Sequence, residues 1–169
     1  MTMITLRAPE PSDVDRLLIW ENDPGLFESL PQAAPLSRFQ IWQYIENYQA
    51  DPFATHELRL MIVDPATDTT VGHIDLYDFS PADRRAGIAI YIDSPHRHRG
   101  YATMALKALE DYATTRLGMH QLWAHIAIDN TPSIALFTTA GYKSAGRLRS
   151  WLRRSDRYAD ALIFQKLFP

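Results

Sequence analysis

The chain has 169 residues, 46% hydrophobic and 22% charged, with no cysteine and a formal charge of −3 from 20 acidic and 17 basic side chains. This balance excludes a disordered tail or a fibre, and the missing cysteines exclude a disulfide framework, thiol catalysis and thiolate metal sites. The net acidity, the lack of an apolar run near the roughly 18 residues that span a bilayer, and a start without a signal-peptide pattern lead to the expectation of a cytoplasmic protein with one domain over residues 1–169, and neither nucleic acid nor membrane as partner.

Met1 to Arg7 reads as a short strand. Ser12 with Asp15 has the spacing of a capping box and opens an amphipathic helix through Val14, Leu17, Leu18 and Trp20, stopped by Asn22-Asp23-Pro24-Gly25. Ser37 with Gln40 repeats the signal before Ile41, Trp42, Tyr44, Ile45 and Tyr48. Glu57 to Val63 alternates as a strand should, Val71 to Phe79 is a second strand of the central series and Ala86 to Ile92 a third. A long helix follows Arg99-Gly100 and runs from Ala102 to Leu117, with Gly118 where a C′ glycine belongs. Gln121 to Ile128 is a strand, and Thr131-Pro132 reads as an N-cap and a first-turn proline opening the helix Ser133 to Ala140. Two strands, Lys143 to Trp151 and Tyr158 to Phe168, close the chain. The fold class is α+β, or mixed α/β, with about four helices around one sheet.

Basic residues cluster at Arg84, Arg85, His96, Arg97, His98 and Arg99 and again from Lys143 to Arg157, while Glu10, Asp13, Asp15, Glu21, Asp23 and Glu28 make the start acidic. An anionic ligand near the middle of the chain and a cationic one near its start suit this asymmetry. The most specific local signal is Ile90-Tyr91-Ile92 leading through Arg97-His98-Arg99-Gly100-Tyr101-Ala102 into the long helix. A strand, a basic loop and a glycine before a helix N-terminus make an anion cradle, because free N–H groups and the helix dipole point one way. The loop matches neither the P-loop nor the dinucleotide fingerprint, which disfavours a module for ATP or NAD.

Arg97-His98-Arg99-Gly100-Tyr101-Ala102 resembles the R/Q-x-x-G-x-G/A loop of the GNAT superfamily of N-acetyltransferases. Asn130, Ser133, Phe137, Gly141 and Tyr142 are spaced as in that family's N-x-x-S/A-x-x-x-Y/F-x-x-x-G-F/Y segment, and the closing Gly146, Trp151, Arg157, Tyr158 and Asp160 are similar to the branch that holds ribosomal-protein N-terminal and spermidine acetyltransferases. The resemblance covers about residues 1 to 168. It implies a mixed, mostly antiparallel sheet in which two parallel strands, here Ala86–Ile92 and Gln121–Ile128, splay apart and take the pantetheine arm of acetyl-CoA. It implies cofactor contacts at Ile90, Tyr91, Ile92, Arg97, His98, Arg99, Gly100, Tyr101, Ala102, Asn130, Ser133 and Phe137, with acetyl-CoA as co-substrate and no metal.

The implied reaction is direct attack of a primary amine on the thioester, the amine belonging to a protein N-terminus, a polyamine or another small molecule. An oxyanion donor is expected at the backbone N–H near Ile92. Many relatives carry a tyrosine, the acid for the leaving thiolate, where this chain has Phe137. Ser133 or water is the expected substitute, since some relatives of this branch lack the tyrosine and keep a serine; Tyr142 is expected in the core. The alternative is a non-catalytic acyl-CoA-binding or sensing domain of the same fold.

His73, Asp75 and Tyr77 alternate on one face of their strand beside Gly87, Ala89 and Tyr91, so Asp75 is the candidate to bind the ammonium and pass on its proton, with Tyr77 beside it. Asp75 resembles an acidic position of polyamine-acetylating relatives, whereas Gly87 stands where a second acid is found in them. Trp20, Phe27, Glu28, Trp42 and Trp151 are candidates for the acceptor's walls, and Glu28 for its charge. His125 is expected to be a packed or hydrogen-bonded structural histidine. A homo-oligomer is compatible with the sequence.

Overall fold

The computed structural model describes residues 3–27 and 34–169. In chain order the elements are β1 (Thr5–Arg7), a 3₁₀ turn (Pro11–Asp13), α1 (Val14–Glu21), α2 (Pro24–Phe27), α3 (Arg38–Glu46), α4 (Pro52–Thr55), β2 (Leu58–Asp64), β3 (Thr69–Ser80), β4 (Arg85–Ile92), a 3₁₀ turn (Ser94–His96), α5 (Tyr101–Thr115), β5 (Gln121–Ala127), α6 (Thr131–Thr139), β6 (Lys143–Arg153) and β7 (Tyr158–Leu167). The seven strands form one sheet in the order β1-β2-β3-β4-β5-β7-β6. Every pairing is antiparallel except β4 with β5. Four helices exceed a single turn, as expected, and α2 and α4 are one-turn additions among the described residues.

Two helix starts differ from the sequence reading. At the first, the chain turns around Asp13 rather than Ser12. The Asp13 carboxylate is fully buried, accepts the Glu10 N–H at 2.8 Å and pairs with Arg7 at 2.7 Å. Burial alone would raise its pKa, but Arg7 and the Glu10 N–H outweigh that and hold it below the ordinary carboxylate value. The capping box is therefore Glu10 with Asp13, shifted toward the N-terminus from Ser12 with Asp15. At the second, the cap of α6 is Asn130, whose Oδ1 accepts the Ser133 N–H at 3.2 Å, and Thr131 is the first helical residue. The Ser37–Gln40 box opening α3 is formed in both directions, at 3.2 and 2.8 Å.

Helices cover the two faces of the sheet unequally. On one face α5 and α6 pack Ala105, Leu106, Leu109, Ala113 and Phe137 against Ile62, Ile74, Leu76, Ile88, Leu122, Ala124 and Phe164. Lys166 on β7 ties the two helices together, pairing with Glu110 at 2.7 Å and donating to the Ala140 carbonyl at 2.9 Å. On the other face α1 and α3 place Val14, Leu17, Trp20, Ile41 and Ile45 over Met61 and Tyr91. This second cluster sits over β2 to β4 alone. Met61 is consequently buried and β2 is apolar on both sides from Met61 to Val63, whereas the sequence alternation places Met61 on the polar side.

Irregularities in β3 decide what faces the uncovered half. The register of β2 with β3 shifts between Ile62 and Val63, and that of β3 with β4 shifts between Tyr77 and Ser80, where Asp78 adopts φ 45°. Between these points His73 pairs with Tyr91, Asp75 with Ala89 and Tyr77 with Gly87, all on one face. Beyond Asp78 the chain reverses parity and returns Phe79 to the main core.

Candidate active site

The parallel β4–β5 pair is held only at Arg85 to Gly87 with Gln121 to Trp123. Past these residues the strands part, and Ile88 to Ile92 on one side and Ala124 to Ala127 on the other line a cleft of about 1590 Å3. Backbone polar groups along an open strand edge need a partner, so a split inside a sheet is a place for an amide-bearing ligand. The volume exceeds the range of about 300–1,000 Å3 usual for one small ligand and leaves room for two substrates.

At one end the cleft is lined by His96, Arg97, His98, Gly100, Tyr101, Ala102 and Thr103. Gly100 caps α5 at φ 81°, and the position its missing Cβ would take has no atom within 4 Å. Both facts fit a phosphate that approaches the backbone closely. The first intrahelical bond is from Met104 N–H to the Gly100 carbonyl at 3.1 Å, which leaves the Tyr101, Ala102 and Thr103 N–H groups available, and the first turn holds no acid. The Tyr101 hydroxyl donates to Asp64 at 2.6 Å and pins this turn to the end of β2. Arg97 donates through Nε to the Ile92 carbonyl at 2.9 Å, folding the basic loop back onto the end of β4. The residues present fit a pyrophosphate.

Asn130, Pro132, Ser133, Leu136 and Phe137 form the wall across the split. Phe137 is buried and meets Tyr142 edge-on at 4.9 Å. Tyr142 is buried too and outside the cleft, as expected. The loop that carries Asn130 is tied to the β6–β7 turn by Asp129, which pairs with Arg154 at 3.1 Å and Arg157 at 3.6 Å.

At the other end Arg59 is the organising residue. Its Nε and Nη2 donate to Asp75 at 2.9 and 2.8 Å, its Nη1 donates to Glu21 at 2.5 Å, and its guanidinium lies 5.6 Å from the centre of the Tyr44 ring. His73 Nδ1 is 3.2 Å from Asp75, and its ring stacks on Tyr91 at 5.5 Å. Burial on its own would raise the Asp75 pKa; His73 and the Arg59 guanidinium outweigh it and hold the carboxyl well below the usual carboxylate range. Asp75 is thus an ionised, hydrogen-bonded partner of Arg59. Burial pushes Tyr77 and Tyr48 up to about 12, so both phenols remain protonated.

A model of the acetyltransferase (GNAT) domain matches residues 3–143. The chain belongs to the GNAT acetyltransferase family. Along its length it is 26% identical over 164 residues to an uncharacterized N-acetyltransferase, p20, of Bacillus licheniformis, covering 97% of this chain and 92% of that protein. It is 26% identical over 102 residues to a spermidine N(1)-acetyltransferase of Vibrio cholerae, covering 60% of this chain and 59% of that one. The fold is similar to that of a spermidine N-acetyltransferase from Vibrio cholerae solved in complex with CoA and spermine, with a TM-score of 0.86 at 24% identity over 98% of this chain and 95% of that one. As a GNAT acetyltransferase the chain is an enzyme that uses acetyl-CoA to acetylate an amine. No helix among the described residues is long and apolar enough to cross a membrane.

This GNAT cleft gathers most of the expected residues. Ile90, Tyr91, Ile92, Arg97, His98, Gly100, Tyr101, Ala102, Asn130, Ser133 and Phe137 all line it, as do Asp75, Tyr77 and Trp151. Arg99 is exposed on the loop outside the lining. Glu28 and the side chain of Phe27 lie outside the described residues. Trp20 is 2% exposed and packed on Tyr91 and His73, so it belongs to the core, and Trp42 is exposed away from the cleft.

His125 is a correction. It is exposed in the cleft, because alternation along β5 sends Leu122, Ala124 and Ile126 to the α5 face and His125 to the open one. Arg59 is absent from the sequence reading, as are Glu21, Tyr44 and Tyr48 as lining residues. One signal for Arg59 is present in the sequence, a lone charge inside the apolar run Leu58 to Val63.

Proposed function

We propose that the split between β4 and β5 receives the pantetheine arm of acetyl-CoA, the turn at Gly100 its pyrophosphate, and the Arg59 end of the cleft a primary amine. The observation that supports this reading most is the short β4–β5 pairing, Arg85 to Gly87 alone, with the cleft running past it from the α5 N-terminus to Arg59. The bound thioester supplies the acetyl group, and the amine must arrive neutral. His125 suits the role of base. Partial desolvation beside the Trp123 and Trp151 rings lowers its pKa, so its imidazole is neutral near pH 7 and, lying in the cleft, can take the ammonium proton through water. Asp75 keeps its charge against Arg59 and orients rather than accepts. Ser133, on the first turn of α6 and in the lining, is the side chain to pass a proton to the departing thiolate in place of the aromatic hydroxyl that Phe137 lacks.

The test is a thermal-shift titration with acetyl-CoA, CoA, ATP and NAD, then thiol release from acetyl-CoA over spermidine, small diamines, monoamines and short peptides. Stabilisation by both CoA forms with amine-dependent thiol release is the expected result. Stabilisation by ATP or NAD in preference to CoA would overturn the cofactor assignment.

A further inference from the structure

The open half of the cleft face carries a row of rings. Tyr77 on β3 meets Trp123 on β5 at 5.1 Å and 79°, Trp123 meets His125 at 4.7 Å and 61°, and His125 meets Trp151 on β6 at 6.1 Å and 60°. Tyr77, His125 and Trp151 line the cleft, and Trp123 sits between Tyr77 and His125 in the row. One end of the row is seated on a glycine. The Tyr77 ring lies so close over Gly87 that a Cβ there would come within 2.5 Å of it. Trp151 is 55% exposed although it sits on an ordered strand of the sheet. Among the described residues α1 and α3 pack over β2 to β4 and stop short of this half.

Charge is arranged differently from what a polycation needs. Among the described residues the lining contains three carboxylates, Glu21, Glu57 and Asp75, and two guanidinium groups, Arg59 and Arg97. Glu21 and Asp75 both bind Arg59, so the acceptor end retains Glu57, exposed at the mouth, beside an ion-paired cluster. A triamine brings three ammonium groups, and desolvating a charge without a partner is costly. A single ammonium finds adequate compensation here, with the ring faces adding attraction for a cation. The rest of the wall offers flat apolar area.

Resting on the acceptor end assigned above, we propose that the acceptor is a small monoamine with an aromatic body, an arylalkylamine whose ring lies against Tyr77, His125 and Trp151 and whose amino group points to the β4–β5 split. Ring edges and faces presented at 60 to 79° suit edge-to-face and offset contacts with one further ring.

The experiment compares phenethylamine, n-butylamine, spermidine and a short peptide in the thiol-release assay, and titrates each into the CoA-saturated protein while tryptophan fluorescence is followed. Phenethylamine is expected to have a kcat/KM about tenfold or more above n-butylamine and spermidine. Trp151→Ala should erase that preference, lowering phenethylamine far more than n-butylamine, and Trp151→Phe should retain it. Spermidine or the peptide used as well as phenethylamine, or a Trp151→Ala loss equal for both monoamines, overturns the proposal while amine acetylation stands. If CoA binds but no amine releases thiol, the acceptor reaction fails separately, and the titration decides: quenching by phenethylamine that Trp151→Ala abolishes upholds the aromatic subsite, and no binding overturns it.

Discussion

Replacing Arg59 by methionine keeps the stem's bulk and removes the one group that bonds both Glu21 and Asp75. The side chains of Arg59, Glu21 and Asp75 are 20%, 10% and 17% exposed, so solvent cannot take over the lost bonds. Breaking a buried pair by deleting one partner costs about 3–5 kcal/mol, because the other charge is left uncompensated. Here two carboxylates are left in place of one. In the wild type the Asp75 pKa is depressed, so its stabilising contribution is complete above the ordinary carboxylate pKa of about 3.9 and is lost only as pH falls through the folded value. Between pH 5 and 7 that carboxylate contributes no pH slope.

In Arg59→Met the sign reverses. Without Arg59 the Asp75 carboxylate keeps His73, 3.2 Å away, as a neighbouring partner, and loss of the guanidinium raises the proton affinity of the Asp75 and Glu21 pair above its unfolded value, so the folded state takes up a proton that the unfolded state does not. The deficit should then shrink on acidification, by at most about 1.4 kcal/mol per pH unit for one proton, or about 2.7 kcal/mol from pH 7 to pH 5. Urea unfolding of both proteins at the two pH values reads this directly. Adding Asp75→Asn to Arg59→Met should return part of the stability at pH 7 and flatten the pH dependence. A deficit below about 1 kcal/mol, or one equal at pH 5 and pH 7, would refute the picture of a buried two-carboxylate, one-guanidinium cluster.

At Gly100, glutamate puts a charge and a side chain into open space reserved for an anion, and acetyl-CoA affinity measured by calorimetry should fall more than about a hundredfold, whereas alanine should show only the strain of φ 81°, about 1 kcal/mol in unfolding. Unchanged affinity in Gly100→Glu would remove the phosphate from this turn. Asn130→Ala should cost about 1 kcal/mol by losing the α6 cap, and Thr131→Ala should cost clearly less in the same denaturation series; the reverse order would restore Thr131 as the cap. Ser133→Ala should lower kcat about ten- to a hundredfold with the KM for acetyl-CoA little altered, as expected of a proton donor. An unchanged kcat would assign that proton to water.

The sheet, the long helix and the glycine turn before it are legible in the sequence because each is coded locally. Alternation marks β3 and β4, periodicity marks α5, and Gly100 after a basic loop marks the turn. The start of α1 is less legible because its competing caps differ only in what lies across space. Nothing local distinguishes Ser12 from Glu10 until Arg7 and Thr70 are seen to surround Asp13. His125 is misplaced by the sequence for a related reason: periodicity sets it opposite Ala124 but does not tell whether a helix covers that side, and α1 and α3 stop short of β5.

The Arg59 end of the cleft is the least legible part, and Asp75 shows why. Its position on the cleft face follows from strand parity alone, which makes it the natural site for an ammonium. Its chemistry depends on Arg59, a residue 16 positions earlier on the neighbouring strand, brought opposite by the Arg59–Asp75 register. That register is fixed by apolar side chains on the other face and by the bulge at Ile62 and Val63, not by either charged residue. Gly87 repeats the lesson from the opposite direction. Beside acidic positions in relatives it reads as a missing carboxylate, yet in the fold it is the space that the Tyr77 ring occupies. An acidic side chain at Gly87 and the present Tyr77 rotamer exclude each other. The aromatic wall and the low net charge of the cleft are therefore one feature, and a substitution toward either changes both.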